Sequence, residues 1–411
     1  MYSYRPSFEK PTPNEQSTKK ETILKKHLQS ISYGIAIAIF AIGLITFLTT
    51  DKPRWILSLL IIPILLALSI PRSHSPFKLP NKFSELTLKD AYHCFESLKT
   101  QPLPKEDLLR LIKWSKGLLD IRHSLQYLSD KNTIVVGDLH GQYEDLYHVL
   151  NLHFHKKQII FNGDFVDRGE YGVEIVTALM MALCVSPETI YLARGNHEDP
   201  QVNYGYGFYY ECQQKYDSEV YKQFCDLFGA LPYAHVVGRE YFVVHGGLPP
   251  FRCSLKDIEN LPRGNVNFMK DGNVPGLAEN LLWSDPQQRL GHTLSIRGAG
   301  CKFGPDITRQ FLKDNNLGMI IRSHEVKMDG YEYTHDNKIL TIFSAGKYGN
   351  GNNRAAIASI KFDDNNRPSI SINQLPIHVG LTSSDENFKI LLTILIILLI
   401  VFIDYLMLIL M

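Results

Sequence analysis

Five times along this chain a short run of β-branched and aromatic residues stops abruptly in a loop of Gly, Asp, Asn and His. The runs are 133–136 before G-D-L-H-G, 158–161 before N-G-D-F-V-D-R-G, 189–192 before A-R-G-N-H-E, 241–244 before H-G-G-L-P-P, and 319–321 before R-S-H-E. Such runs read as buried strands, and polar side chains at their tips converge along one rigid sheet edge. Further strands are expected at 339–343, 356–362 and 369–372. Helical apolar spacing runs over 85–97 and 105–125. The middle of the chain is therefore expected to be one large α/β unit.

The strand-tip loops supply Asp138, His140, Asp164, Asn196, His245 and His324. Three are oxygen donors, three are imidazoles, and no thiolate is among them. That set suits Fe, Zn or Mn, and neither a soft metal nor an all-oxygen calcium site. Six donors exceed one tetrahedral centre. They suit two cations about 3.5–4 Å apart sharing a carboxylate, an arrangement that serves displacement at phosphorus. A single G-D-x-H-G is equally well an Asx turn. Five such loops in order, each at a strand end, are not explained by turns alone.

G-D-L-H-G (137–141), G-D-F-V-D-R-G (163–169), R-G-N-H-E (194–198), H-G-G-L (245–248) and R-S-H-E (322–325) resemble the signature blocks of the phosphoprotein phosphatases. These are serine/threonine phosphatases with two metals. Y-G-F-Y-Y-E-C (206–212), L-W-S-D-P (282–286), R-G-A-G-C-K-F-G (297–304) and S-A-G-K-Y (344–348) are similar to the eukaryotic branch. The resemblance covers about residues 85–375. It implies an α/β fold, the calcineurin-like metallophosphoesterase β-sandwich flanked by helices. It also implies a first metal on Asp138, His140 and Asp164, with Asp164 bridging to a second on Asn196, His245 and His324. Two such cations acidify a shared water enough to give hydroxide near neutral pH. By the same resemblance Arg168 and Arg297 grip the phosphate, as planar guanidiniums do bidentately. Asn196 and Tyr348 lie at the substrate, His197 is the general acid for the leaving alkoxide, and Asp167 orients it. The expected substrates are phosphoserine and phosphothreonine proteins, with regulatory subunits as further partners. The metals are manganese, or iron with zinc.

One loop departs from the family. Its usual S-A-P-N-Y-C reads S-A-G-K-Y-G here, with Lys347 for a neutral residue and Gly349 for the cysteine. Substrate preference and toxin sensitivity are therefore not carried over. No EF-hand loop or tetratricopeptide repeat occurs in the sequence. His148, His153 and His155 fall in the helix and turn after the first motif and are read as surface residues. Tyr204–Tyr210 is read as packing beside the site. Cys301 has no base in its own loop and is not read as a nucleophile.

The two ends of the chain have a different character. Residues 1–30 form a basic, Pro-containing tail with Arg5, Lys10, Lys19, Lys20, Lys25 and Lys26. Apolar runs follow at 31–48 and 55–70, and a third fills 390–411 with Asp404 its single charge. At 1.5 Å per residue the first spans roughly 27 Å, about a hydrocarbon core. The expectation is a membrane hairpin over 31–71 and a transmembrane anchor over 390–411. A catalytic domain over 73–388 would then face the cytoplasm, with the bilayer as a partner and a multi-pass membrane localisation. The scattered cysteines, without any C-x-x-C pair, agree with a reducing compartment. Lys and Arg total 43 against 42 Asp and Glu, so bulk positive charge for nucleic-acid binding is excluded. The same core on a small molecule, as in a diadenosine-tetraphosphate-type hydrolase, is the alternative enzyme, and an inactive membrane scaffold the alternative of another class.

Overall fold

The apolar runs become strands because both of their faces are covered, each by a different layer. The computed structural model describes residues 76–264, 276–365 and 367–376. Fourteen strands form among them. In chain order they are β1 (Leu125–Leu128), β2 (Thr133–Val136), β3 (Gln158–Phe161), β4 (Ile190–Leu192), β5 (Ala234–Val237), β6 (Tyr241–Val244) and β7 (Asp285–Pro286). Then come β8 (His292–Leu294), β9 (Cys301–Phe303), β10 (Met319–Arg322), β11 (Tyr331–Thr334), β12 (Ile339–Ile342), β13 (Ala356–Phe362) and β14 (Pro368–Gln374).

One sheet has the order β1-β5-β6-β10-β12-β11 and the other β14-β13-β2-β3-β4, with a small sheet β7-β9-β8 alongside. Alternate residues of single strands serve opposite layers. Val135, Ile160, Val243, Ile321 and Leu340 meet between the two large sheets. Ile134, Val136, Ile159 and Phe161 turn outward to a helical layer that includes Leu88–Leu98, Lys105–Asp120 and Gly172–Val185. Phe242, Val244, Ile320 and Ile339 pack on the opposite side with Phe303 and Phe311. Hence these strands read as continuous apolar runs, without a polar face.

Strand direction then fixes where the loops go. β2, β3 and β4 run parallel, and so do β6, β10 and β12. The carboxyl ends of β2, β3, β4, β6 and β10 carry all five donor-bearing loops. The two sheets are tied at that end by a parallel bridge between Asp138 and Phe343. Ser344 N donates to the Asp138 carbonyl at 3.1 Å, and Gly137 N donates to Ser344 Oγ at 2.8 Å. A side chain at 137 has no room here, since a Cβ would stand 2.1 Å from the Ile342 carbonyl oxygen.

Helix boundaries follow local caps. The helix expected from 85 starts at Leu88, because the Thr87 hydroxyl accepts from Asp90 N while Asp90 accepts from Thr87 N. The helix expected to 125 ends at Asp120, and the chain enters β1 instead.

One expectation is overturned. Among the described residues no helix is long and apolar enough to cross a membrane, so membrane-spanning helices and a multi-pass membrane localisation do not stand. The most apolar described helix, Gly172–Val185, has 14 residues. That is about 21 Å, short of a ~30 Å hydrocarbon core, and nearly all of its surface is buried in the protein. The tail 1–30 and the runs 31–48, 55–70 and 390–411 lie outside the described residues.

Candidate metal centre

The strand-tip loops lace into one another through the backbone. Leu139 N and His140 N both donate to the Asp164 carbonyl at 2.9 Å, Gly141 N to Phe165 O at 3.1 Å, and Gly169 N to His140 O at 3.1 Å. His140, Asp164, Asp167, Arg168 and His324 all have φ between 39° and 71°. Left-handed backbone at non-glycine residues costs on the order of 1–3 kcal/mol each and persists only where surroundings over-determine it. Here the interlaced hydrogen bonds do so. Five of the twelve non-glycine residues with positive φ among those described belong to this centre.

Their side chains meet. His140 Nδ1 is held by the Val166 carbonyl at 2.9 Å, which leaves Nε2 3.4 Å from Asp164 Oδ2 and 3.7 Å from Asp138 Oδ2. His245 Nδ1 is held by Asn162 O at 2.8 Å, and its Nε2 lies 3.3 Å from Asp164 Oδ1 and 3.2 Å from His324 Nδ1. In each case a backbone carbonyl fixes the tautomer that offers Nε2 inward. Asp138 Oδ1 accepts from His324 N at 2.9 Å, tying the first loop to the last. Asp164 approaches His140 at 3.4 Å on one oxygen and His245 at 3.3 Å on the other, closer to each ring than Asp138 at 3.7 and 3.9 Å. Ligand atoms of Asp164, His245 and His324 lie within 4.8 Å of one another, and so do those of His140, Asp164 and His197.

These contacts fit cations better than hydrogen bonds. The Asn196 amide oxygen faces His245 Nε2 at 3.0 Å and is crowded by His324 Nδ1 and both Asp164 oxygens. Turning the amide gives its NH2 hydrogen-bond acceptors; leaving the oxygen inward gives a metal ligand. His324 Nε2 is buried without a partner. Burial, and then the neighbouring Asp164, pushes the Asp138 carboxyl up. Burial pushes His140 down to about 3 and His324 well below its ordinary value, so both are neutral, as ligands must be. Burial also opposes charge on His245, yet Asp164 and Asp138 raise it to about 9. The two carboxylates thus draw positive charge to the place where the donor set would hold a cation.

An open cleft of about 240 Å³ lies over this cluster. Asp138, His140, Asp164, Asn196, His324, His197, Arg168, Arg297 and Tyr348 line it, while His245 and Asp167 are fully buried behind. His197 Nδ1 is 2.5 Å from Asp167 Oδ2, and Asp167 Oδ1 accepts from Phe208 N at 2.8 Å. Burial lowers the His197 pKa, but Asp164, Asp167 and Glu198 outweigh it and the net shift is upward. Arg297 Nε donates to Asp285 Oδ2 at 2.7 Å, and Arg168 stacks on Tyr206 with 4.3 Å to the ring centre. The Tyr348 ring lies 5.1 Å from that of His140. Cys301 is buried with its thiol pKa raised by burial, and His155 pairs with Tyr92 away from the cleft.

Sequence reasoning missed two carboxylates that brace the centre. Glu198 accepts from the backbone N–H of Asp164 (2.8 Å), Phe165 (2.8 Å) and Gly195 (2.9 Å). Asp285 holds Arg297 on one oxygen and the buried Arg322 on the other, at 2.9 Å. Both lie inside quoted motifs, R-G-N-H-E and L-W-S-D-P, but their partners are too distant in sequence to be read. Glu198→Ala would strand three buried donors, at roughly 1–3 kcal/mol each before relaxation. We expect a stability loss of about 3 kcal/mol, read by denaturant or thermal unfolding. An unchanged midpoint would show that Glu198 does not brace the loops.

The fold and site define a metallophosphoesterase: the calcineurin-like phosphoesterase family matches residues 131–328. The chain is 37% identical over 289 residues to serine/threonine-protein phosphatase T of Aspergillus oryzae, covering 69% of this chain and 59% of that protein. It is 41% identical over 272 residues to serine/threonine-protein phosphatase 5 of Arabidopsis thaliana, covering 64% and 50%. A solved protein serine/threonine phosphatase from Saccharomyces cerevisiae superposes with a TM-score of 0.62 at 33% identity, covering 68% of this chain and 93% of that one. The chain belongs to the phosphoprotein phosphatase family of serine/threonine phosphatases. It spans about half the length of the curated relatives it matches.

Proposed function

We propose that this chain is a metal-dependent serine/threonine protein phosphatase, acting on phosphoserine and phosphothreonine in proteins. Its catalytic unit is 73–388, with a core over about 85–375. The observation that carries the reading is the convergence of Asp164, His245, His324 and Asn196 with Asp138 and His140 under a cleft rimmed by two guanidiniums. Asp138, His140 and Asp164 would hold one cation and Asp164, Asn196, His245 and His324 the other. The nitrogen and oxygen donor set favours manganese or an iron–zinc pair. When bound, such a pair supplies Lewis-acid charge and an acidified water.

The residues around it do the rest. Arg168 and Arg297 bind the phosphate oxygens through their planar guanidiniums. Asp285 fixes the Arg297 fork so that fewer rotamers are lost on binding. His197, with Nδ1 held by Asp167, keeps Nε2 for protonating the departing serine or threonine oxygen. Tyr348 closes the side of the cleft beside His140.

Hydrolysis of a phosphothreonine peptide by the full chain tests this. Turnover should appear with Mn²⁺, vanish on chelation and return on readdition. Faster cleavage of diadenosine tetraphosphate would shift the reading to a small-molecule hydrolase. Absence of turnover on both would remove the enzyme reading.

A further inference from the structure

The small sheet beside the cleft carries an unusual surface. In its edge strand β8 and the flanking turns, every second residue from Leu290 to Ile296 points to solvent. Leu290 is 63% exposed, Leu294 91% and Ile296 90%. The intervening residues face inward and do the holding: Thr293 Oγ1 donates to Gln287 Oε1 at 2.6 Å, and Arg297 N donates to Ser295 Oγ at 3.2 Å. Nothing in the described fold needs three aliphatic side chains on this face. Leaving them in water is costly, at roughly 25 cal/mol per Å², and such patches mark contact surfaces.

Their position indicates what covers them. Ile296 immediately precedes Arg297, the cleft arginine, and Leu294 is three residues before it. Arg297 is anchored by Asp285 and reaches the His324 carbonyl at 3.5 Å, so the turn after β8 ends at the mouth of the cleft. An extended chain advances about 3.3 Å per residue. A substrate whose phosphate is held at Arg297 therefore has neighbours, a few residues along, within reach of Ile296 and Leu294. Val326, another exposed aliphatic side chain, lines the same cleft.

We propose that the Leu290–Leu294–Ile296 face is a substrate-docking strip that receives apolar side chains flanking the dephosphorylated residue in an extended phosphoprotein segment. The strip selects among phosphosites; it has no part in the bond-breaking step. This rests on the phosphatase reading above, and the experiment separates the two.

The full chain is assayed with p-nitrophenyl phosphate and with phosphothreonine peptides whose positions two to four residues from the phosphate, on either side, are Leu/Ile or Ser. Wild type should prefer the apolar peptides by about tenfold in kcat/KM. The Leu294→Ser/Ile296→Ser double variant should lose that preference through KM, leaving p-nitrophenyl phosphate turnover unchanged. Both changes are at fully solvated side chains, so folding is little affected. Equal rates on the two peptide sets, or a preference that survives in the variant, overturns the docking strip while the phosphatase reading stands. A wild-type dimer that dissociates in the variant assigns the strip to a second copy of the chain, which also overturns it. Failure of wild type on every phosphoester removes the phosphatase reading and the strip with it.

Discussion

Asp164→Asn is expected to reduce phosphopeptide turnover by about 10³-fold or more and to lower the bound metal below two ions per chain. Asparagine keeps the shape of the side chain but removes the charge. In this centre that charge has no substitute. Asp164 approaches His140 on one oxygen and His245 on the other, and Oδ1 also accepts from His197 N at 3.0 Å. Asp138 does not replace it, because it stands farther from both imidazoles, 3.7 Å from His140 and 3.9 Å from His245. Metal content per chain, measured by mass spectrometry beside kcat, checks the result. Near-normal turnover with two ions retained would show that the bridge is elsewhere.

His197→Asn should separate proton transfer from metal binding. The loss expected in kcat is roughly 10²–10⁴-fold with an alkyl phosphoester, the usual range for a positioned acid. With p-nitrophenyl phosphate, whose leaving group needs no proton, the loss should be far smaller. Metal content should not change. The contrary outcome has a definite meaning, because His197 lies close enough to His140 and Asp164 to be a ligand. The 2.5 Å contact of its Nδ1 with Asp167 argues for the acid role, since that pairing orients the ring and favours its protonated form. Metal loss in the variant would reverse the assignment.

The sequence disclosed what burial on two sides imposes. Strands β2, β3 and β6 are buried throughout and largely apolar, so their limits were read to the residue, and the donors were visible because each follows such a strand directly. Among strands without that pressure β14 was read, at 369–372 within Pro368–Gln374, and several others were not. β1 is L-Q-Y-L with Gln126 half-buried and Tyr127 exposed, and its partner β5 lies over a hundred residues away. β11 has no fully buried residue, and β7, β8 and β9 are only two or three residues long. The same distinction holds within the site. Ligands advertise themselves by residue type, whereas Glu198 and Asp285 act by accepting hydrogen bonds from loops that only the folded topology brings near. The apolar runs at the chain ends lie outside the described residues. Length and hydropathy suggested membrane spans, and among the described residues no helix has that character.

Four of the six donors hang from β2, β3 and β4, and two from β6 and β10, which belong to the facing sheet. A cation held between Asp164 and the His245–His324 pair is thus also a rivet across the seam of the sandwich. Any ion that binds only the folded chain adds RT ln(1 + [L]/Kd) to its stability. Metal starvation of this protein would then do more than silence it. It would loosen the open end of the two sheets and hand the chain to proteolysis, so that its abundance, and not its rate alone, would follow the supply of ions.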